Sequence, residues 1–291
     1  MPLREEQHMT DNLLSDAEIA HYRRDGYVVV RGVLPPELVE DCKAALSALA
    51  QGTIERRGAG IYYEAGAEAE GLSPEQRELR VRRFDNFCDA HPALLAAAMA
   101  PRLHAAIDAL CGRGRTLFQE MALVKPPEIG AEKPWHQDAA YFLIRDPALV
   151  VGTWIALDRA TEENGCMQMA AGSHLRGPVP HIAEGMVRCY IGDADRDRSR
   201  VVPLPMEPGD AVIFHGLLQH FTAPNRSAHR RRALQYHFAQ SGAVWGTVED
   251  HARLYGDGHG GYRGCVVPAM PAEALAIMQG KRQRPVSPPA G

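Results

Sequence analysis

The sequence predicts a mainly β protein fronted by helices. Helix-start signals and apolar residues at helical spacing are confined to roughly the first 111 residues. Beyond residue 115 the chain breaks into short apolar, β-branched runs separated by Pro, Gly and Asn, the texture of an all-β sandwich or barrel. At 291 residues and 45% hydrophobic content the chain can bury a sizeable core. No internal repeat or linker divides it, so one domain over 1–291 is expected, with residues 1–14 and 281–291 as disordered tails.

Ser15-x-x-Glu18 is a capping box that opens a helix over 15–24, and Gly26 stops it. Tyr27 to Val30 reads as a short strand. Pro35-Pro36-Glu37 starts a second helix whose Leu38, Val39, Cys42, Ala45, Leu46 and Leu49 share one face. Residues 58–71 are rich in Gly, Ala and Glu and read as a loop. Ser73-Pro74 then caps a third helix, and 92–111 supplies one or two more. The strand candidates are 116–125, 149–157, 166–170, 201–204, 211–214 and 233–239. Glu163-Asn164-Gly165 can supply a positive φ, and Glu207-Pro208-Gly209-Asp210 is a strong turn just before a strand. Residues 181–200 read as another loop.

Composition narrows the function classes. The net charge of −4 gives no reason to expect nucleic acid, although Arg230, Arg231 and Arg232 form a local basic cluster. No run of about 18 apolar residues is read as a membrane span, and the first residues are too polar and acidic for a secretory signal, so a cytoplasmic location is expected. The six cysteines lack C-x-x-C spacing and are expected to be reduced packing residues.

In Pro134-Trp135-His136-Gln137-Asp138 the His and Asp stand two apart, so on an extended segment both project from one face and can grip one ion. With 13 histidines in the chain, about one His-x-Asp arises by accident, so the pair means little alone. Its weight comes from Gly209-Asp210-Ala211-Val212-Ile213-Phe214-His215, followed by His220, Asn225, Ser227 and Arg231. Two histidines and one carboxylate form a facial triad that leaves iron positions open for a chelating co-substrate and dioxygen. Spacing alone leaves His215 and His220 both open as the third ligand.

These motifs resemble the phytanoyl-CoA dioxygenase family of 2-oxoglutarate oxygenases. The resemblance is carried by Lys125-Pro126-Pro127, His136-Gln137-Asp138-x-x-Tyr141-Phe142, Trp154-Ile155-Ala156-Leu157-Asp158 and Glu163-Asn164-Gly165-Cys166. It continues through Gly172-Ser173-His174, Gly209-Asp210 and His220-x-x-x-x-Asn225-x-Ser227-x-x-x-Arg231-x-Ala233, and its opening is similar to 25–32. It implies a double-stranded β-helix, a jelly-roll of two antiparallel sheets with the metal between them. It selects His220, eleven residues before Arg231, as the third ligand of Fe(II) beside His136 and Asp138. It gives Arg231 to the distal carboxylate of 2-oxoglutarate, which a planar guanidinium can hold with two parallel hydrogen bonds. It places Trp154 and Met121 beside the co-substrate, with Ser173 and Lys125 as further contributors.

Arg230 and Arg232 are expected on the opposite strand face as solvated charges; Arg83 aligns loosely with a basic residue near the site in the family but is expected to be an exposed helical arginine. Tyr141, Phe142 and Trp245 are candidates for the substrate pocket. The activity implied is hydroxylation of a C–H bond of a small organic metabolite by dioxygen, with 2-oxoglutarate converted to succinate and carbon dioxide. No nucleic-acid or membrane partner is expected, and the oligomeric state is left open. A halogenase is disfavoured because Asp138 stands where such enzymes carry a small residue. A zinc hydrolase would leave Arg231 without a purpose, and a non-catalytic binding protein would leave both triad and arginine without one.

Overall fold

The computed structural model describes residues 13–66, 70–184, 188–259 and 265, and the backbone of 284–285. Ser15 caps α1 (Asp16–Asp25) by reciprocal hydrogen bonds with Glu18. Gly26 ends it at φ +85°, where an added Cβ would also lie 2.5 Å from the His174 ring. After β1 (Tyr27–Val30), α2 (Pro36–Gln51) buries Val39, Cys42, Ala45, Leu46 and Leu49, as its periodicity predicts. β2 (Gly60–Tyr63), α3 (Pro74–Glu78), β3 (Val81–Asp85), α4 (Pro92–Ala98) and α5 (Pro101–Cys111) complete the first part.

The second part contains β4 (Thr116–Lys125), β5 (Lys133–His136), β6 (Val150–Ala156), β7 (Met167–Ala170), β8 (His181–Glu184) and β9 (Arg188–Ile191). β10 (Val201–Leu204), β11 (Ala211–His215), β12 (His220–Thr222), β13 (Arg231–Ala239), α6 (Val248–Tyr255) and β14 (Arg284–Pro285) follow.

The strands form a large antiparallel sheet in the order β1-β11-β6-β13-β4-β3-β2, with β14 beside β4, a smaller sheet β10-β7-β12-β5, and the hairpin β8-β9. Trp154, Val212 and Phe214 of the large sheet pack against Met167, Met169 and Leu204 of the small one, so the two face each other as the jelly-roll requires. The helices cover the outer face of the large sheet, where Leu46, Leu49, Leu94 and Leu103 meet Ile155, Leu234, Tyr236 and Phe238. Strand alternation decides the placement of the site. Even-numbered Leu234, Tyr236 and Phe238 of β13 turn to the helices, and odd-numbered Arg231, Gln235 and His237 turn between the sheets.

Several expectations need correction. Residues 58–71 and 181–200 are not wholly loop: β2 pairs with β3 in the first, and β8 with β9 in the second. Leu14, assigned to the N-terminal tail, is buried in the core, and Arg284–Pro285 of the C-terminal tail pairs with Leu117 and Thr116. Residues 1–12 and the rest of 281–291 lie outside the described residues. Residues 92–111 do have the length and apolar character of a membrane span. They are broken into α4 and α5, whose Leu94, Ala97, Leu103 and Ile107 are fully buried among the other core side chains.

Nor are all six cysteines reduced: Cys189 and Cys265 form a disulfide across 76 residues, a long-range meeting that local spacing cannot reveal. Cys42, Cys88 and Cys166 are buried as expected.

Candidate metal centre

β5 and β12 are neighbours in the small sheet, and their register sets His136 directly opposite His220. The two rings lie 4.1 Å apart. Gln137 is extended (φ −110°, ψ 128°), so Asp138 turns to the same side as His136 before opening a 3₁₀ turn over Asp138–Tyr141. One ligand atom from each of His136, Asp138 and His220 lies within 4.8 Å of the other two. Asp138 Oδ1 stands 3.2 Å from His136 Nε2 and 3.5 Å from His220 Nε2.

Each imidazole is oriented through its other nitrogen. His136 Nδ1 lies 2.7 Å from the Pro134 carbonyl and His220 Nδ1 2.9 Å from the Leu218 carbonyl. A carbonyl only accepts, so each Nδ1 carries the proton and each Nε2 keeps its lone pair for a metal. Burial pushes His136 down to about 3. Burial opposes ionisation of Asp138, but the neighbouring His220 and His237 outweigh it and hold the carboxyl well below its usual range. Neutral imidazoles beside a carboxylate are the donor set of a divalent cation.

Gln137, between the two ligands, is fully buried. Its side chain donates to the Gly177 and Leu217 carbonyls and accepts from Val179 N–H, while its own N–H donates to His181 Nε2 (3.0 Å). The turn bearing Asp138 is thus fixed on three sides.

His215 is not part of this group. Its ring packs on His174 at 5.0 Å and its Nδ1 accepts from Leu217 N–H.

The triad opens into a cavity of about 150 Å³ between the sheets, lined also by Met121, Lys125, Tyr141, Phe142, Trp154 and Arg231. Arg231 is 2% exposed, yet no carboxylate among the described residues lies within ion-pair distance of it. It donates only to the Leu123 carbonyl at 3.3 Å, and its Nε, like Trp154 Nε1, has no hydrogen-bond partner. Burial pushes the guanidinium down to about 10. A buried cation with unused donors fits an arriving carboxylate.

Lys125 is directly across from Arg231 on β4, donates to the Ala131 carbonyl and is pushed down to about 6 by burial and the Arg231 charge. Gly165, at φ +82°, passes so close that an added Cβ would be 2.9 Å from the Lys125 stem and 2.3 Å from the Ala223 carbonyl.

Ser173 is not brought to the cavity; its hydroxyl accepts from Gln219 N–H deep in the fold. Thr222, two residues from His220 on β12, lines the cavity instead. Trp245 packs edge-on against Phe118 and does not line it. Arg83 lies on strand β3, not a helix; it lines the cavity, pairs with Asp85 at 2.9 Å and stacks on Tyr62.

Arg230 and Arg232 do turn away from the cavity, but they are not solvated charges. Arg230 pairs with Glu78, and Arg232 holds both oxygens of Asp158 at 2.8 and 2.9 Å. Asn225 holds the Lys125, Pro126 and His229 carbonyls, tying the β12–β13 connection to the end of β4.

Two residues escape the sequence reading. Gln235 and His237 each place a nitrogen 2.8 Å from Asp138 Oδ2, the oxygen turned away from the histidines. Their signal was a Gln and a His at alternate positions, in step with Arg231, within an apolar strand. Gln235→Leu and His237→Leu are each expected to lower metal affinity ~10–100-fold without loss of fold, because the carboxylate would lose a group that orients it. Competition with a chelator would measure this, and wild-type affinity in both variants would refute it.

A family model described as phytanoyl-CoA dioxygenase matches residues 22–233. The peroxisomal phytanoyl-CoA dioxygenase of Rattus norvegicus is 26% identical over 251 residues, covering 83% of this chain and 73% of the relative. The crystal structure of EvdO2 from Micromonospora carbonacea var. aurantiaca, complexed with 2-oxoglutarate, is similar with a TM-score of 0.62 and 25% identity, over 80% of this chain and 93% of that one. The epimerase SnoN, in complex with Fe3+, alpha ketoglutarate and nogalamycin RO, shares the fold with a TM-score of 0.61 and 23% identity, over 79% of this chain and 85% of that one.

Proposed function

The chain belongs to the phytanoyl-CoA dioxygenase family, and we propose that it is an Fe(II)- and 2-oxoglutarate-dependent dioxygenase that hydroxylates a C–H bond of a small organic metabolite. The observation that carries this reading is the union, in one cavity, of a buried His-Asp-His triad with a buried arginine that lacks a carboxylate partner among the described residues. EvdO2 and SnoN, crystallised with 2-oxoglutarate, the latter also with iron, support the same choice of metal and co-substrate.

In this reading His136, Asp138 and His220 hold the iron, which supplies dioxygen activation coupled to decarboxylation of 2-oxoglutarate. The rest is done by the chain. Arg231 takes the distal carboxylate of the co-substrate, with Lys125 as a further N–H donor at that end and Thr222 as a hydroxyl donor. Trp154 and Met121 form the wall it lies against, and the free indole N–H of Trp154 offers one more donor. Gln235 and His237 keep Asp138 Oδ2 occupied, so that Oδ1 faces the histidines. Phe142 and Met167 make the adjoining wall apolar, which limits water near the reacting carbon. Asp138 occupies the position a halide would need, so transfer of hydroxyl is favoured over transfer of halogen.

The test is to load the protein with iron anaerobically, add 2-oxoglutarate and chloride, admit dioxygen and follow succinate and products by mass spectrometry. Succinate should form in step with 2-oxoglutarate loss, and any product from a co-added metabolite should gain oxygen and not chlorine. Iron-loaded protein that yields no succinate would favour a hydrolase or a binding protein instead.

A further inference from the structure

Cations in the cavity outnumber the carboxylates that face them. Glu64 pairs with Arg82 at 2.8 Å and Asp85 with Arg83 at 2.9 Å. Arg231, Lys125 and Lys133 have no carboxylate within ion-pair distance among the described residues. Arg231 and Lys125 are cross-strand partners and share one end of the cavity.

Lys133 is on β5, three residues before His136 and opposite Thr222 of β12. Its ammonium donates to the Tyr141 hydroxyl and lies 4.6 Å from the centre of that ring. Tyr141 is itself fixed, because its hydroxyl donates to the Cys189 carbonyl (3.0 Å) and its ring meets His136 edge-on at 5.8 Å. An ammonium has three donors, so two remain once the tyrosine is served. Lys133 is therefore a positioned cation beside the triad with donors to spare.

We propose that the primary substrate carries a carboxylate and that Lys133, held in place by Tyr141, binds it. This rests on the reading of the cavity as an iron and 2-oxoglutarate site. In that reading both carboxylates of the co-substrate are already assigned, one to the metal and one to Arg231, and neither needs Lys133. Iron(II) would add two positive charges, which together with Arg231 balance the three negative ones of Asp138 and 2-oxoglutarate, so the Lys133 ammonium is left over for an anion. Burial of the Lys133 ammonium pushes it down to about 7, the mark of a cation short of a counter-ion. A carboxylate fits better than a phosphate, because one ammonium presents a single charge.

Hexanoate and hexanamide are suitable probes, since they match in shape and differ in charge. Each would be titrated anaerobically into protein loaded with Fe(II) and 2-oxoglutarate, following the metal-to-ligand charge-transfer band. Hexanoate should shift the band saturably, and hexanamide should bind at least about tenfold more weakly, as expected for loss of a charged hydrogen bond. Lys133→Met should weaken hexanoate by at least about tenfold while moving the 2-oxoglutarate midpoint by less than about twofold, with Tyr141→Phe between it and wild type.

Equal response to acid and amide, or response to neither, overturns the proposal. So does bleaching of the band by hexanoate, which would mean displacement of the co-substrate, or a matching loss of 2-oxoglutarate affinity in Lys133→Met. The acid–amide comparison needs only wild-type protein, so it decides the matter even if the variant fails to fold. If the band never forms, the iron and 2-oxoglutarate reading has failed, and calorimetric titration of hexanoate into metal-free wild type and Lys133→Met still tests Lys133 by itself.

Discussion

His136→Ala, Asp138→Ala and His220→Ala should each abolish iron-dependent succinate formation and leave protein that retains little iron after desalting, whereas His215→Ala should keep a measurable part of both. Each of the first three removes one of the three donors brought within 4.8 Å of one another. His215 only packs against His174 and accepts a hydrogen bond from Leu217 N–H, so its loss should cost no more than the ~10–100-fold typical of a group that supports ligands without touching metal. Metal analysis of the four variants beside their circular dichroism separates loss of iron from loss of fold. Loss of iron in His215→Ala with retention in His220→Ala would reverse the ligand assignment.

The second large effect is expected at Arg231. Arg231→Leu should weaken 2-oxoglutarate roughly ten- to a hundredfold, the equivalent of about 1.5–3 kcal/mol for a hydrogen bond to a charged group. Iron affinity should stay near wild type, because Arg231 is no part of the triad. Leucine fills comparable space, and the change also removes a buried charge that has no carboxylate opposite it, so the fold should tolerate it. Arg230→Leu is the better control. Arg232→Leu would remove the two side-chain hydrogen bonds that Asp158 accepts, leaving it the backbone N–H and Lys43 at 3.7 Å, and should lower stability without touching the co-substrate. Anaerobic titration of 2-oxoglutarate into each Fe(II)-loaded variant decides this, and an unchanged midpoint in Arg231→Leu would mean that the anchor lies elsewhere.

What the sequence reveals follows from the range of the interactions. The capping boxes at Ser15 and Ser73 and the apolar runs that become β4, β10 and β11 are local patterns, and they appear where expected. β2 and β3 do not announce themselves: Gly60–Tyr63 is only partly buried and Val81–Asp85 carries two arginines, so each is a strand because the other pairs with it. β12 has only three residues, too few to show alternation, so Thr222, which lines the cavity, stayed hidden. Gln235 and His237 acquire a role only when Asp138, nearly a hundred positions earlier, folds against them. The cysteine expectation failed for the same reason, since Cys189 and Cys265 meet only through the tertiary fold.

β13 carries Arg231, Gln235 and His237 on one face and is hydrogen-bonded along both edges, to β4 and β6. In the proposed reading, one strand therefore sets the separation between the end of the site that would meet the co-substrate's far carboxylate and the end that steadies the metal ligand. Four residues of extended chain span about 13 Å, and with both neighbours paired the strand cannot slide to lengthen or shorten that interval. It works as a gauge. A one-residue slip would swing Arg231, Gln235 and His237 out together and bring Arg232, Leu234 and Tyr236 in. If Arg231 holds the far carboxylate as proposed, selection of a five-carbon keto-diacid over its shorter and longer homologues would be a property of the strand's register, fixed when the sheet forms and before any ligand arrives.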